Sequence, residues 1–187
     1  MCLKHTIEHY RNGNTSVYAC FLDLSKAFDH VEYELLWRKL ENTGVPGDII
    51  ELLKYWYGSQ VNQVRWAGIL SEPYRLECGV RQGGLTSPTL FNLYIKGLIE
   101  ELSSMHVGCY IGNTCVNNIS YADDMVLLAP SVSGIRKLLN VCETYAGLHG
   151  LRYNTDKSVY MVFWPKNRSP NNMATIKLNG TPMERVY

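Results

Sequence analysis

The run Ile119-Ser120-Tyr121-Ala122-Asp123-Asp124-Met125-Val126-Leu127-Leu128 constrains this chain more than any other. Two strand-like apolar segments flank a pair of adjacent carboxylates. An unpaired charge inside a buried sheet is costly, so the pair must stand where the strands leave the core. A tight hairpin meets that condition by carrying both carboxylates at its tip. Asp23 follows a second apolar strand candidate, Val17-Tyr18-Ala19-Cys20-Phe21-Leu22. With Asp23 on a neighbouring strand, the three form one acidic cluster. Mg2+ suits such a cluster, because it is a hard ion that takes oxygen ligands and keeps places for water and phosphate. Two ions a few ångströms apart clamp the attacking and leaving oxygens of an in-line displacement. Taken alone, an Asp-Asp pair is more often just a polar turn.

The rest of the chain reads as alternating helices and short strands. Glu32 to Asn42 places Leu35, Leu36 and Leu40 at helical spacing, with Gly44 and Pro46 as stops. Asp48 is read as the N-cap of a second helix carrying Ile49, Ile50, Leu52, Leu53 and Trp56. Residues 61–66 and 74–78 read as the arms of a hairpin. After the Gly83-Gly84 turn, Ser87 fits an N-cap and Pro88 the first helical position. Leu90, Tyr94, Leu98 and Leu102 then recur at i, i+4, which predicts the clearest helix of the chain. Strands are expected at 107–111, 114–121, 125–129 and 158–164, and a helix over Ile135 to Ala146 that stops near Gly147. Pro165 to Asn172 is the most loop-like stretch, and Asn179-Gly180 a tight-turn signal.

This order predicts an α+β fold, an antiparallel sheet with helices on one face, of which the ferredoxin-like βαββαβ arrangement is one member. The whole chain, 1–187, is read as one domain. No apolar run reaches the ~18 residues of a membrane span, and no signal-peptide pattern opens the chain. The cysteines, at 2, 20, 78, 109, 115 and 142, form no C-x-x-C pair. They read as buried free thiols of a reducing compartment rather than as a zinc site. The net charge of +1 is small for a nucleic-acid binder. Positive charge gathers at the C-terminal end, in Arg152, Lys157, Lys166, Arg168, Lys177 and Arg185. That stretch could meet a phosphate backbone, and a solvated face accounts for it equally well.

Four short segments carry a resemblance. They are Phe21-Leu22-Asp23-Leu24-Ser25-Lys26-Ala27-Phe28-Asp29, then Gly79-Val80-Arg81-Gln82-Gly83-Gly84-Leu85-Thr86-Ser87-Pro88, then Tyr121-Ala122-Asp123-Asp124, then Gly150-Leu151-Arg152-Tyr153-Asn154-Thr155-Asp156-Lys157-Ser158. In this order they resemble the motifs of reverse transcriptases of the non-LTR (LINE-type) retrotransposon and group II intron kind, over most of the chain. The resemblance implies a polymerase palm that adds dNTPs to a DNA primer on an RNA template, with two Mg2+ ions or Mn2+ in their place. It makes Asp23 and Asp123 metal ligands supported by Asp124. It makes Phe28 a steric gate against a 2′-hydroxyl, although a core aromatic reads the same. Gln82 and Gly83 would pack against nucleotide and template, and Arg81 would meet a phosphate or a surface ion pair. Lys157 would protonate the leaving pyrophosphate or be a solvated lysine. Tyr121 would shape the hairpin beside the primer end, and Ser87, Pro88 and Asn154 would support the motifs. Asp29 is read as a helix-start or salt-bridge residue.

The second motif departs from the family pattern at Gly84-Leu85-Thr86, where altered turn geometry is expected. The fingers, thumb and endonuclease regions of such enzymes are not recognised, so a palm fragment is expected. The family works without a membrane, in cytoplasm and nucleus. Two other functions stay open. One is an inactive relic that retains nucleic-acid or protein binding. The other is an RNA-dependent RNA polymerase, against which Phe28 argues.

Overall fold

The structure, a computed structural model, describes residues 2–165 and 174–187. The loop reading at Pro165 to Asn172 lies outside the described residues beyond Pro165, as do Lys166 and Arg168. The chain divides into two compact units. One comprises residues 1–27 and 95–187, the other 28–94.

The first unit is built on a five-stranded sheet. The chain begins with helix α1 (Cys2–Asn12) and strand β1 (Val17–Leu22). In chain order the helices α2 (Tyr33–Glu41) and α3 (Gly47–Gly58), the strands β2 (Arg65–Trp66) and β3 (Ile69–Leu70), and helix α4 (Ser87–Ser104) follow. Then come β4 (Cys109–Ile111), β5 (Thr114–Val116), β6 (Asn118–Tyr121), β7 (Asp124–Ala129), α5 (Val132–Leu148) and β8 (Val159–Phe163). Short strands β9 (Lys177–Leu178), β10 (Thr181–Pro182) and β11 (Glu184–Val186) end the chain.

The sheet order is β11-β8-β1-β7-β6. The four strands β8-β1-β7-β6 are antiparallel throughout and give the ferredoxin-like order, with β1 central. The edge strand β11 joins β8 in parallel. Alternation along β1 explains the two faces. Cys20 and Leu22 pair with Leu127 and Met125, and the Cys142 thiol of α5 lies 3.9 Å from the Met125 sulfur on that side. Val17 and Ala19 face the other way, against Ile7, Cys109 and Leu128. Helix α1 covers this second face. The sequence reading had no helix there, although Leu3, Ile7 and Tyr10 recur at i, i+4, i+7, the spacing of a buried helical stripe. The Tyr10 hydroxyl accepts the Tyr110 amide at 2.6 Å and ties the β4–β5 hairpin to α1.

Helix α5 starts on Ser131, whose hydroxyl accepts the Gly134 amide at 3.1 Å. It runs past Gly147 and ends where His149 and Leu151 donate to the Ala146 carbonyl, with Gly150 left-handed at φ +63. Asn179 and Gly180, both with positive φ, close the β9–β10 hairpin as expected. The buried Asn117 donates to the carbonyls of Leu102, at 2.6 Å, and Val107, at 2.9 Å. It thereby anchors the end of α4 beside β6. Three of the expected buried thiols, Cys20, Cys109 and Cys142, are buried. Cys2 and Cys78 are exposed and Cys115 is half-buried, because they fall outside the sheet's inner positions.

In the second unit, Leu36, Trp37 and Leu40 of α2 pack inward with Ile50 and Tyr57 of α3. Trp37 meets Tyr57 edge-on with ring centroids 5.8 Å apart. Asp48 is not the N-cap of α3. The helix opens at Gly47, and Pro46 provides the first acceptor carbonyl, because proline fixes φ and lacks an amide to satisfy. The hairpin expected between 61–66 and 74–78 turns earlier, at Ala67-Gly68, both with positive φ. Arg65 pairs with Leu70, and Asn62 bridges Tyr74.

Candidate active site

Strand β1 runs out of the sheet at Leu22, opposite Met125. Asp23 is the residue that follows Leu22, and Asp124 the one that precedes Met125, so both stand at the end of this ladder. Tyr121 and Asp124 form the closing pair of the β6–β7 hairpin, leaving Ala122 and Asp123 as its two-residue turn. The three aspartates therefore gather at one end of the sheet. The physical reason is in the sequence, since apolar β1 and β7 bury their own backbones and deliver the first polar residue at the sheet boundary. Asp23 and Asp123 are half-buried and Asp124 is exposed. Ala122 is left-handed at φ +52, a conformation that is strained for a residue with a Cβ and that recurs at functional sites. Tyr121 is 84% exposed beside the turn.

Asp23 is held by the segment that precedes β8. Its amide donates to the Ser158 hydroxyl at 3.1 Å, and its carbonyl accepts from the Asn154 amide at 2.8 Å. Asn154 also shapes that segment. Its side-chain oxygen accepts from the amides of Asp156, at 3.1 Å, and Lys157, at 3.3 Å. Leu24 bridges Tyr153, and the Ser25 amide donates to the Arg152 carbonyl at 2.8 Å. Lys157 is exposed on this loop. Ser158 is the residue that sequence reasoning missed. The signal was its place at the boundary between the fourth motif and an apolar strand.

Phe28, Arg81, Gln82, Gly83, Ser87 and Pro88 belong to the other compact unit. Phe28 stacks on Phe91, and its carbonyl accepts the Val80 amide at 2.7 Å. The Gln82 amide group reaches Asp29 Oδ1 at 3.4 Å. Asp29 thus steadies the glycine turn, and the salt bridge expected of it is not among those described. Arg81 donates to the Gln60 side chain at 3.0 Å, in place of the expected surface ion pair. Gly83 is left-handed at φ +78. A Cβ on Gly84 would lie 2.6 Å from the Ser87 hydroxyl, so only glycine fits there. Helix α4 starts one residue earlier than expected, because the Leu90 amide donates to Thr86. Ser87 is therefore inside the helix rather than its cap, 1% exposed with its hydroxyl unpartnered, and Pro88 is the second helical residue.

Among the described residues, no three His, Cys, Asp or Glu side chains stand together as a group that could hold a metal ion. Mg2+ does not require such a group. It is commonly bound through one or two carboxylates plus substrate phosphates. Asp23 and the hairpin aspartates fit that smaller requirement. Among the described residues, no helix is long and apolar enough to cross a membrane.

The family profile described as reverse transcriptase (RNA-dependent DNA polymerase) matches residues 2–181. The chain belongs to the reverse transcriptase family. It is 33% identical over 160 residues to the retrovirus-related Pol polyprotein of the type-2 retrotransposable element R2DM of Drosophila melanogaster, covering 84% of this chain and 14% of that protein. It is 24% identical over 175 residues to the RNA-directed DNA polymerase of the mobile element jockey of Drosophila funebris, covering 90% of this chain and 18% of that protein. The chain thus spans less than a fifth of the length of these curated relatives. Among solved structures, a telomerase of Candida tropicalis superposes with a TM-score of 0.64 at 14% identity, over 92% of this chain and 36% of that one. A telomerase of Candida albicans, in complex with a TWJ fragment of telomeric RNA, gives 0.62 at 15% identity, over 97% and 32%. At such identities the structural likeness speaks for the fold, and the fold is that of a polymerase palm.

Proposed function

We propose that this chain carries the catalytic centre of an RNA-directed DNA polymerase of a non-LTR retrotransposon. The observation that supports this most is the β1–β7 register, whose last pair, Leu22 and Met125, is followed by Asp23 and preceded by Asp124, at the end of the sheet where Asp123 occupies the hairpin turn. Phosphoryl transfer needs positioning and charge neutralisation more than covalent chemistry, so one or two carboxylates that share a metal ion with the substrate phosphates are sufficient machinery. Asp23 and Asp123 bind divalent metal, with Asp124 beside them. Bound Mg2+, or Mn2+ in its place, neutralises the phosphates and lowers the pKa of the attacking hydroxyl.

The chain's own residues do the rest. Asp23 and Asp123 orient the primer 3′-hydroxyl against the α-phosphate of the dNTP. The primer oxygen gives up its proton to water and forms the O–P bond as the bond to pyrophosphate breaks, and Lys157 gives its own proton to the leaving oxygen. Tyr121 lies beside the primer end. Phe28 excludes a 2′-hydroxyl, Arg81 meets phosphate, and Gln82 and Gly83 contact nucleotide and template, while Ser87, Pro88 and Asn154 support the loops. The substrates are an RNA template, a DNA primer and dNTPs, and the setting, by family expectation, is cytoplasm and nucleus. Primer extension on an RNA template tests this, with the Asp123→Ala, Asp124→Ala double variant as control. Extension by the parent that survives in the double variant would refute the assignment.

A second reading is binding without turnover, to nucleic acid or protein. The observation in its favour is exposed apolar surface in the 28–94 unit, with Trp66 82% and Ile69 75% exposed as a cross-strand pair of β2 and β3. Such clustering marks contact surfaces. A parent chain that binds an RNA–DNA duplex yet extends no primer is its expected result.

A further inference from the structure

Both backbone polar groups of Asp23, a proposed metal ligand, are bonded to a single other segment, residues 154–158. Its N–H donates to the Ser158 hydroxyl at 3.1 Å, and its C=O accepts from the Asn154 amide at 2.8 Å. The β1–β8 ladder has already ended, at the pair Phe21 and Val159. A side chain therefore takes over where backbone pairing stops. Ser158 is 0% exposed, so its hydroxyl is shielded from competition by water.

The acceptor itself is fixed. The Ser158 amide donates to the Asn154 carbonyl at 2.9 Å, which closes the 154–158 turn. The Asn154 side chain, bonded to the amides of Asp156 and Lys157, stiffens the same turn. Motion left to the Asp23 carboxylate is then rotation about its own two side-chain bonds. Partners that orient a metal ligand govern affinity for the ion without touching it.

We propose that the buried hydroxyl of Ser158 is a positioning group that sets the Asp23 carboxylate for metal binding, and that through the 154–158 turn it keeps Lys157 in step with Asp23. This rests on the reading of Asp23 as a metal ligand. Alanine at 158 removes the acceptor and leaves the Asp23 amide to find another partner, so the carboxylate drifts. Threonine keeps the hydroxyl. Cysteine keeps the side chain's shape and offers only a weak acceptor.

The test uses the full chain, labelled with 15N, and Mn2+ as the probe. Two quantities are read for the parent and for Ser158→Ala, Ser158→Cys and Ser158→Thr: hydrogen exchange at the Asp23 amide, and Mn2+ affinity from paramagnetic broadening around Asp23. The expected result is faster exchange and about 10-fold weaker Mn2+ binding in Ser158→Ala, an intermediate loss in Ser158→Cys, and recovery of both in Ser158→Thr. If Ser158→Ala does not fold, the contrast between the Cys and Thr variants gives the same answer. Parent-like Mn2+ affinity in variants that lack the hydroxyl overturns the positioning role alone. A parent that shows no Mn2+ broadening near Asp23 overturns the metal reading, and the positioning role with it.

Discussion

Phe28 lies nearly parallel to Phe91, with ring centroids 5.0 Å apart and an angle of 20° between their planes. Phe91 is fully buried in α4, while Phe28 is half-buried. A gate against ribonucleotides needs such a ring, held from behind. Phe28→Val is predicted to weaken discrimination against rNTPs by at least about 10-fold, the low end of what a single contact decides in a hydrophobic pocket. Phe91→Ala is predicted to cost about 3–5 kcal/mol of stability, as loss of a buried aromatic does. Incorporation ratios for dNTP and rNTP, beside urea denaturation, check both. Unchanged discrimination in Phe28→Val would remove the gate assignment and leave Phe28 a core aromatic.

Ala122 holds its left-handed backbone, φ +52, in the turn between Tyr121 and Asp124. That conformation costs an L-residue about 1–2 kcal/mol. Ala122→Gly is therefore predicted to raise stability by roughly 1 kcal/mol, while Ala122→Val lowers it. Activity should fall in Ala122→Gly despite the added stability, because a freer turn holds Asp123 less firmly. Thermal melts paired with extension rates test this, and a glycine variant that is less stable than the parent would contradict the strain argument.

Burial pushes the thiols of Cys20, Cys109 and Cys142 up from 9.0 to about 12. The folded chain keeps these protons to a higher pH than the unfolded chain does. Their contribution to stability is thus intact below pH 9 and is lost as pH rises from about 9 towards about 12. Alkaline unfolding is predicted in that window, and a Cys142→Ala, Cys20→Ala variant should shift it upward relative to its own stability at neutral pH. Under native conditions at pH 8, a thiol reagent should label the exposed Cys2 and Cys78 quickly and the three buried thiols only on unfolding. Rapid labelling of Cys20 would contradict the packed sheet.

The parts of this fold that were legible in the sequence are those set by short-range physics. The apolar runs ending at Asp23 and beginning after Asp124 became β1 and β7, and Asn179-Gly180 became the left-handed turn its residues favour. The placement of Asp23, Asp123 and Asp124 at strand ends was legible for the same reason, since a strand that buries itself must surrender its charges at its ends. What escaped was decided at longer range. Helix α1 has low intrinsic promise and is stabilised by docking Ile7 on Val17, Ala19 and Leu128. The hairpin near residue 67 turned on Ala67-Gly68, because residues 65–66 found partners in 69–70 before the more distant arm. Ser158 looked like the first residue of a strand, and its bond to Asp23 exists only because the chain folds back across a separation of 135 positions.

The most direct measurement is single-turnover addition of one dNTP to a primer on an RNA template, by the parent chain and by Asp23→Asn, across a range of Mg2+ concentrations. Asn keeps the size and the backbone bonds to Ser158 and Asn154 but removes the charge. Changing a partner of a metal ligand costs 10–100-fold, so loss of a ligand itself is predicted to slow addition by at least about 100-fold. Added Mg2+ should restore little of it. Addition by Asp23→Asn within about twofold of an active parent would contradict the assignment of the centre to Asp23, Asp123 and Asp124.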